Sequence, residues 1–479
     1  GARSAAAAAP AARRRRDRRR GPAPGAAPGA GPADWLLVTF GEVMMRFAPA
    51  EDDQDESRHR PQRFLRSFGG DELNVAVAAA QVGVAARWIS VLPTGPLGDA
   101  AVRSCREHGV EFAGPRVEGE LGIFTVLPEA KTVHYQRSSS AFALHDPASL
   151  AWDALLRTGG AKPWLHVTGI TPLVSASGQE SWAAAIGEAK TKGIPVSLDL
   201  NHRKQLGTLE DLWRLVSPHC ACLELLVLSE EQLTALARLE GVRGDGNGAR
   251  EVSFASQRGN SVEFRIEEGR LNFYFNKQLE IKHLTKVDVD RNGDKVTLML
   301  KGTDVAPRAL QQVIVPQDDV ALAVAELLAL AAGAEEEKHL DDDALLGLMA
   351  EVQAVWRCRR LALCRKQRDA SGLQRRWSLM TEFDGSEACA SHSTADLPVW
   401  HRPRDECGGG SAWAAGLLHG LMSGPAAECD LTAALRRGDL LAAMCQETEG
   451  DFSRVSGAEL EAAELRFDGR EARLAGAAP

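Results

Sequence analysis

Three consecutive glycines, Gly408 to Gly410, stand where backbone amides could bind an anionic group. They precede an apolar stretch that we expect to form a helix from Ala412, within DECGGGSAWAAGLLHGLMSG. Glycines let a backbone approach a ligand closely, and the exposed N–H groups at a helix N-terminus favour phosphate. A glycine-rich turn before a helix is also a common structural element. The pair Gly69–Gly70, which likewise precedes a predicted helix, is open to the same interpretation as a turn. The pattern alone therefore leaves phosphate binding and an ordinary helix start both open.

The elements that must position these glycines alternate between buried strands and amphipathic helices. Strand-like runs such as WLLVTFGE, ARWISVLP, WLHVTGIT, IPVSLDLN and CLELLVLS are separated by helical segments, of which GDELNVAVAAAQVG runs from Gly70 to Gly83. This alternation predicts an α/β fold with a mostly parallel sheet covered on both faces. The stretch from Val117 to Gln136 alternates like a solvated antiparallel ribbon, and we expect it to form a small β lid over the edge of the sheet.

A longer interruption lies between Asp245 and Glu335. Short strand-like segments such as FRIEEG, LNFYFNK and DKVTLMLKG are followed there by the helical run DDVALAVAELLALAAG. This order predicts an inserted, small β-rich module, which is compatible by element order alone with a pleckstrin-homology-like barrel. Its segment DVDRNGD imitates the start of a calcium loop, but Met299 occupies the position of the bidentate glutamate. We therefore interpret Asn292-Gly293 as a hairpin turn.

The composition excludes several classes of protein. The 479 residues include 56 Lys and Arg against 65 Asp and Glu, a formal net charge of −9, and 44% of them are hydrophobic. These values exclude a wholly disordered or fibrous protein, and the acidic balance argues against a nucleic-acid binder. The longest apolar run, from Val320 to Ala332, is too short to span a bilayer. The nine cysteines form no CxxC pair, and we interpret them as reduced thiols rather than disulfides or metal ligands.

Residues 1–34 form a leader rich in Ala, Arg, Gly and Pro, with RRRRDRRR at Arg13 to Arg20. An acid-poor, Arg-rich leader is typical either of an organelle transit peptide or of a disordered basic tail. The first interpretation predicts a plastid or a mitochondrion as the compartment, and the second predicts a cytoplasmic protein. In either case the segment cannot bury enough apolar surface to fold.

Several segments taken together resemble the PfkB, or ribokinase-like, family of carbohydrate kinases, and within it the 2-keto-3-deoxygluconate kinase branch. The resemblance runs from about Leu36 to Arg243 and resumes from about Leu340 to Arg473. Its motifs are GEVMMRFAP, GGDELNVA and LPTGPLGDAA, then HYQRSSSA, VTGITP and SLDLNHR, and finally CRKQRDASGLQRRWSL, DECGGGSAWAAGLLHGL and EGDFSRVS. It implies a ribokinase-like three-layer sandwich in which residues 35–244 and 336–479 form the kinase domain and residues 245–335 are inserted.

The resemblance also implies positions for a sugar acid. Gly70 and Asn74 would lie beside it, and Tyr135, Arg137 and Arg203 would contact it. Two guanidinium groups suit a carboxylate, because each can form bidentate, charge-assisted hydrogen bonds with it. Without the resemblance, both arginines would be interpreted as solvated or paired surface charges.

Two positions depart from what the resemblance implies. The family's general base is an aspartate directly after the glycines that form the anion hole, and here that position is Ser411. A serine hydroxyl does not accept a proton near neutrality, and losing a general base costs about 100- to 10,000-fold in rate. The family's Asn-x-x-Glu motif, which organises magnesium, becomes Ser229 and Gln232, with Glu230 nearby. A neutral glutamine oxygen is a weaker ligand for a hard dication than a carboxylate.

We therefore expect a PfkB-type kinase that phosphorylates a sugar acid such as 2-keto-3-deoxygluconate with impaired turnover. The alternative is a catalytically inactive, kinase-like binding or scaffold protein whose inserted β module binds a protein or a lipid. The resemblance implies ATP and Mg²⁺ as cofactors, no metal beyond that magnesium, and a homodimer through the lid. Nucleic acid is not an expected partner, no transmembrane segment is expected, and the partner of the inserted module is left open.

Overall fold

The computed structural model describes residues 34–49, 63–127, 132–242, 251–255, 261–267, 270–275, 278–292, 295–305, 312–315, 324, 340–383, 385, 389–423, 429–448 and 450–475. These residues group into two compact units. The first contains the residues up to His166, Ala370–Gln374 and those from Val399 onward, and the second contains Val167–Asp369 and Arg375–Pro398. The predicted basic leader, apart from Asp34, lies outside the described residues.

The strands of the described residues are numbered in chain order. They are β1 (Trp35–Phe40), β2 (Met44–Pro49), β3 (Phe64–Gly69), β4 (Ala85–Ile89), β5 (Leu92–Pro93), β6 (Val110–Ala113), β7 (Arg116–Val117), β8 (Gly122–Leu127), β9 (Thr132–Gln136), β10 (Lys162–Thr168), β11 (Val196–Asp199), β12 (Leu225–Val227), β13 (Glu251–Ala255), β14 (Ser261–Glu267), β15 (Arg270–Phe275), β16 (Gln278–Asn292), β17 (Lys295–Val305), β18 (Gln312–Val315), β19 (Arg360–Arg368), β20 (Gln374–Phe383), β21 (Cys389–Ser393) and β22 (Val399–His401).

The α-helices of the same residues follow the same order. They are α1 (Asp71–Gln81), α2 (Pro96–Glu107), α3 (Trp152–Leu155), α4 (Thr171–Val174), α5 (Ala176–Thr191), α6 (Leu209–Val216), α7 (Glu230–Leu239), α8 (Asp342–Trp356), α9 (Gly409–Met422), α10 (Leu431–Gln446) and α11 (Gly457–Ala475). Among the described helices, none has the length and apolar character needed to cross a lipid bilayer.

The parallel sheet of the first unit is built around β1. This strand is parallel to β10 on one side and to β4 on the other, and β4 is parallel to β6. Leu37, Val38 and Phe40 of β1 are completely buried. Consecutive apolar residues, rather than alternating ones, are typical of a strand that is covered on both faces. Helix α1 packs against β1 and β4, so the start of α1 is held near the carboxyl ends of buried strands.

A smaller sheet in the first unit has the strand order β3-β2-β8-β9. The antiparallel ribbon predicted between Val117 and Gln136 is present as β8 and β9. Strand β2 pairs in parallel with β8 and antiparallel with β3. The pattern did not predict the contribution of β2 and β3, because a short apolar run after a strand fits either sheet. The predicted lid is therefore a four-stranded sheet rather than a ribbon alone.

The second unit continues the same α/β pattern. Its strands β11, β12 and β19 are parallel neighbours, while β20 and β21 pair antiparallel. Leu198, Leu225 and Leu226 are completely or almost completely buried, as the apolar runs predicted. The prediction of a mostly parallel sheet in an α/β fold is confirmed.

The strands between Glu251 and Val315 form a six-stranded antiparallel sheet of their own, in the order β13-β14-β15-β16-β17-β18. Phe264 and Phe273 are fully buried, with their ring centroids 5.0 Å apart. The helix predicted after these strands lies outside the described residues, apart from Val324. The limits of the inserted module and its likeness to a pleckstrin-homology barrel stay predictions.

Candidate active site

The glycine turn opens helix α9, and the structure corrects the residue at which this helix begins. We predicted a start at Ala412, but α9 begins at Gly409, so Gly409 and Gly410 already form part of its first turn. Gly408 precedes the helix with φ of 72°, a left-handed conformation that glycine adopts without steric cost. A Cβ atom at Gly408 would also lie 2.4 Å from the carbonyl oxygen of Asp451. Both facts require glycine at position 408.

The first turn of α9 presents amide donors. The first hydrogen bond within the helix runs from the Ala412 N–H to the Gly408 carbonyl oxygen at 2.9 Å. The N–H groups before it have no carbonyl partner within their own helix, and no side chain of the described residues caps this terminus. A Cβ atom at Gly410 would meet nothing within 4 Å. Amide donors, the positive end of a helix dipole and open space at Gly410 together fit a phosphate group.

The start of α9 meets the start of α1 through a hydrogen bond between their first turns. The hydroxyl of Ser411 donates to Oδ1 of Asp71 at 2.7 Å. Ser411 is 4% exposed, whereas Asp71 is only partly buried. Sequence reasoning missed Asp71, although it follows Gly70 directly and lies three residues before Asn74. The structure therefore places a carboxylate beside Ser411, the position at which the resemblance implies an aspartate.

Asp71 also lies within electrostatic reach of a buried histidine, His166, near the end of β10. Burial lowers the pKa of His166 to about 4, and the negative charge of Asp71 opposes that shift. A histidine with this pKa is neutral near pH 7, so His166 does not neutralise Asp71 by charge. The carboxylate beside Ser411 therefore has a neutral imidazole, rather than a cation, as its buried neighbour.

Gly70 and Asn74, the two positions predicted to lie beside the sugar acid, are adjacent at the start of α1. The Gly70 N–H donates to Oδ1 of Asn74 at 3.4 Å, and the Asn74 N–H donates to the Gly70 carbonyl oxygen at 2.8 Å. A Cβ atom at Gly70 would lie 2.1 Å from the carbonyl oxygen of Glu42, so no other residue fits there. Gly70 and Asn74 are thus linked to the glycine turn through Asp71 and Ser411.

A charged cluster also lies next to the glycine turn. Asp405 accepts hydrogen bonds from the backbone N–H groups of Cys407 at 2.9 Å and Gly450 at 3.0 Å. Arg46 lies 3.5 Å from a carboxylate oxygen of Asp405 and 3.6 Å from one of Asp451. Burial raises the pKa of Asp451 to about 6, although the nearby Arg46 opposes the shift. These side chains fix the segment that precedes α9.

Arg137, which was predicted to contact the sugar acid, forms an ion pair with buried Glu42. Its Nε donates to Oε2 of Glu42 at 2.7 Å, and the Ser140 hydroxyl donates to Oε1 at 2.5 Å. Burial raises the pKa of Glu42, and the charge of Arg137 opposes that shift. Tyr135 is 39% exposed, and its ring centroid lies 6.0 Å from the Arg137 guanidinium carbon. Arg137 therefore fits the alternative interpretation, in which it is a paired charge. Its contact with a sugar acid stays a prediction.

Arg203 belongs to the second unit, in the loop that follows β11. Its side chain is exposed, and the nearby Asn201 has a positive φ of 38°. Ligands of open α/β sheets bind outside the carboxyl ends of the strands, which is where this loop begins. The position of Arg203 suits a ligand contact, and that role also stays a prediction.

The residues at the degenerate magnesium motif form the cap of α7. The Ser229 hydroxyl accepts from the Gln232 N–H at 3.2 Å, and Oε1 of Gln232 accepts from the Ser229 N–H at 2.9 Å. Glu230 lies 3.1 Å from Nη2 of Arg365 and accepts from the Leu340 N–H at 3.1 Å. In this reciprocal capping box, the side-chain oxygens of Ser229 and Gln232 accept hydrogen bonds from backbone N–H groups. These are the oxygens that a metal would need. Across the described ranges, no group of three or more His, Cys, Asp or Glu residues could hold a metal ion.

Comparison with known proteins shows a likeness to one family over part of the chain. Residues 35–236 match the model of the pfkB family carbohydrate kinase. A 2-dehydro-3-deoxygalactonokinase of Haloferax volcanii is 32% identical over 210 residues, which cover 43% of this chain and 64% of that protein. A 2-dehydro-3-deoxygluconokinase of Bacillus subtilis is 27% identical over 175 residues, which cover 35% of this chain and 52% of that protein. The chain thus matches less than two thirds of the length of either relative.

Solved structures extend the likeness to most of the fold. The 2-dehydro-3-deoxygluconokinase of Thermotoga maritima has a TM-score of 0.58 at 19% identity, covering 90% of this chain and 99% of its own. A fructokinase with bound ATP from Xylella fastidiosa has a TM-score of 0.52 at 17% identity, covering 90% of this chain and 98% of its own. At these identities the likeness shows the fold, which is the predicted ribokinase-like α/β fold. The match of residues 35–236 to the family model confirms the resemblance to the PfkB family of carbohydrate kinases over that part of the chain.

Proposed function

We propose that this protein is an ATP-dependent kinase of a 2-keto-3-deoxy sugar acid. The observation that carries the proposal is the hydrogen bond of 2.7 Å between Ser411 and Asp71. It joins the start of α1, where Gly70 and Asn74 lie, to the glycine turn that opens α9. Gly70 and Asn74, two of the positions expected for the sugar acid, are therefore linked to the expected phosphate site within one compact unit.

The start of α9 supplies the electrostatic part of the reaction. A sugar hydroxyl attacks the γ-phosphorus of ATP in line, and negative charge grows on the phosphoryl oxygens as the bond to ADP breaks. The N–H groups of Gly409, Gly410 and Ser411 would donate to those oxygens without reorganisation, which is the largest contribution that such a site usually makes. Mg²⁺ bound to the nucleotide would neutralise phosphate charge. We assign no magnesium ligand to Ser229, Glu230 or Gln232, because their oxygens serve the cap and the ion pair of α7.

The choice of a sugar acid rests on the relatives and on two arginines. Both curated relatives are named as kinases of 2-dehydro-3-deoxy acids, which is another name for the 2-keto-3-deoxy class. A carboxylate substrate needs a guanidinium or a comparable donor, which a neutral sugar does not. Arg137 is engaged by Glu42, whereas Arg203 is exposed beside the carboxyl end of β11. The contact of Arg203 with the substrate carboxylate stays a proposal that rests on the resemblance, and we propose Tyr135 as a contact of a sugar hydroxyl.

The expectation of impaired turnover depended on the serine at position 411 having no carboxylate beside it. Asp71 lies within hydrogen-bonding distance of that serine, so we propose that the kinase is competent. The alternative, an inactive binding or scaffold protein, becomes an outcome of the test. A homodimer through the four-stranded lid sheet also stays a proposal.

The test is ADP release by the purified full chain with ATP, Mg²⁺ and either 2-keto-3-deoxygluconate or 2-keto-3-deoxygalactonate, with the product identified by mass spectrometry. Fructose and ribose serve as neutral controls. We expect a phosphorylated acid and a kcat/KM at least about tenfold higher than for the neutral sugars, because one charge-assisted hydrogen bond contributes about 1.5–3 kcal/mol. Equal rates with fructose would contradict the substrate class. Binding of ATP and acid without any phosphorylated product would favour the inactive alternative.

A further inference from the structure

We propose that Asp71 is the group that takes the proton from the attacking sugar hydroxyl, and that the Ser411 hydroxyl connects the two. This inference rests on the proposed kinase function. It assigns the work of the family's aspartate to a side chain on a different helix, 340 positions away in sequence from Ser411. Asp71 would thus act through Ser411 at the reacting oxygen.

The geometry places the pair at the site of transfer. Ser411 is the third residue of α9 and directly follows Gly410, whose surroundings are open. The turn that binds phosphate therefore also fixes the Ser411 hydroxyl beside the phosphoryl group. That hydroxyl already donates to Asp71 at 2.7 Å, so its oxygen keeps lone pairs that can accept from a sugar hydroxyl.

Other carboxylates near the turn are engaged elsewhere. Asp405 accepts from the backbone N–H groups of Cys407 and Gly450. The carboxylate of Glu42 is held by Arg137 and Ser140.

Asp451 lies near the start of α1 as well, since a Cβ atom at Gly69 would meet its Oδ2 at 2.6 Å and its charge interacts with that of Asp71. The Asp451 carboxylate faces Arg46 at 3.6 Å, and its carbonyl oxygen covers Gly408, where a Cβ atom would lie 2.4 Å away. Asp71 is the carboxylate that the structure joins to residue 411.

The proposed step is balanced in atoms and charge. The sugar oxygen bonds to the γ-phosphorus while the bond from that phosphorus to the β,γ-bridging oxygen breaks, and ADP leaves. The sugar hydroxyl proton moves to Oγ of Ser411 as the Ser411 proton moves to the Asp71 carboxylate. Ser411 is therefore unchanged, and Asp71 becomes a neutral carboxylic acid. Because Asp71 is partly exposed, it can return the proton to water.

The pair also explains why an aspartate at position 411 would not simply add activity. Two carboxylates in contact cannot both stay ionised at low cost, and one of them takes up a proton. Two arrangements therefore supply a single ionised carboxylate. One has serine at position 411 and aspartate at position 71, and the other has aspartate at position 411 and a neutral residue at position 71. Exchanging both residues should restore what the change at position 71 removes.

The experiment compares Asp71→Asn, Ser411→Ala, Ser411→Asp and the double variant Asp71→Asn/Ser411→Asp in the full chain. Asp99→Asn is the matched control, because Asp99 lies in the first turn of α2 and is paired with Arg116 at 2.8 Å. The measurements are kcat, KM for ATP and for the acid, binding of a non-hydrolysable ATP analogue, and the thermal unfolding midpoint.

We expect Asp71→Asn to lower kcat by about 100- to 10,000-fold with little change in either KM. Ser411→Ala should lower kcat by about 100-fold, because the carboxylate is then misplaced relative to the hydroxyl. The double variant should exceed Asp71→Asn by at least about tenfold, as a restored base requires. Asp99→Asn should match the wild type. A purely structural role for Asp71 would not be rescued by a carboxylate at position 411.

Each contrary result has a distinct meaning. If the kcat of Asp71→Asn lies within about threefold of the wild-type value, the loss is too small for the removal of a general base. That result would overturn this inference and leave the kinase function standing. An inactive wild type with an active Ser411→Asp variant would also overturn it, because the native pair would then supply no base. Inactivity of all variants and the wild type would overturn the proposed function itself. Should Asp71→Asn unfold, Ser411→Thr, which keeps the hydroxyl, must retain the activity that Ser411→Ala loses.

Discussion

The carboxylate of Glu42, which is 4% exposed, accepts hydrogen bonds from both Arg137 and Ser140. Burial raises the pKa of Glu42, and the Arg137 guanidinium opposes the shift. The pair joins the loop after β1 to the end of β9, so it connects the larger sheet of the first unit to the lid sheet. Arg137 thus has a structural partner before any ligand binds.

Replacing Arg137 by methionine should therefore destabilise the protein. A buried carboxylate that loses its partner typically costs about 3–5 kcal/mol in the free energy of unfolding. Arg203→Met is the matched variant, because Arg203 is exposed, and we expect its free energy of unfolding to change by less than about 0.5 kcal/mol. It should instead raise KM for the sugar acid by about tenfold or more, through the loss of a charge-assisted hydrogen bond. Urea unfolding measures the free energy of unfolding, and initial rates measure KM. Equal stabilities of Arg137→Met and Arg203→Met would contradict the role of the Glu42 pair.

Two glycine-to-alanine changes should separate folding from phosphate binding. Gly410→Ala adds a Cβ atom where nothing lies within 4 Å, so the variant should fold and gain up to about 1 kcal/mol from helix propensity. If phosphate approaches there, the methyl group should lower kcat/KM for ATP by about 100-fold through misplacement. Gly70→Ala would put its Cβ atom 2.1 Å from the Glu42 carbonyl oxygen and should cost more than about 4 kcal/mol. Full activity in Gly410→Ala would argue against phosphate binding at the start of α9.

His419 should make the protein less stable in mild acid. Its Nδ1 accepts from Nη1 of Arg437 at 2.7 Å, and burial, followed by the charge of Arg437, lowers its pKa from 6.5 to about 4. The unfolded state therefore binds more protons between pH 6.5 and pH 4, so the contribution of His419 is present above pH 6.5 and is lost as the pH falls to 4. The loss is about 3 kcal/mol. In His419→Gln, urea unfolding at pH 7, 6 and 5 should show a flatter dependence on pH than in the wild type.

Asp451 should contribute with the opposite sign over nearly the same interval. Burial raises its pKa from 3.8 to about 6, so the native state binds more protons than the unfolded state between these values. Its contribution is therefore present below pH 3.8 and is lost as the pH rises through 6, by about 3 kcal/mol in total. Asp451→Asn removes this pH-dependent contribution of the carboxyl group. The free energy of unfolding of the variant should therefore rise more steeply from pH 4 to pH 6 than that of the wild type. An unchanged slope would contradict the raised pKa.

The local pattern predicted the elements well where apolar residues are consecutive or periodic. The helix expected from Gly70 to Gly83 is α1, Asp71–Gln81. The start of α9 was placed too late because glycines are poor helix formers in a helix interior. The first turn is different, since its N–H groups need no carbonyl partner within the helix. Gly409 and Gly410 therefore fit there.

The contacts that define the site could not be predicted in the same way. The partners Arg137 and Glu42 are 95 positions apart, and Ser411 and Asp71 are 340 positions apart. Neither helix periodicity nor strand alternation carries information over such distances. The resemblance identified position 411 but not its partner, because Asp71 lies on another helix, far away in the sequence. The capping box of Ser229 and Gln232 was visible in the sequence SEEQ, and a helix start was its simplest meaning.

The first unit is discontinuous along the chain, and this affects the order in which it can form. Arg46 and Asp71 emerge during synthesis well before Asp405, Ser411 and Asp451. Contacts between residues so far apart form slowly, because the intervening chain must first be brought together. A nascent chain that stalls before Asp405 would hold Gly70 and Asn74 without the turn that faces them. The proposed transfer pocket can therefore assemble only after the segment around Ser411 has been synthesised, and release from the ribosome before that point would leave the pocket half assembled.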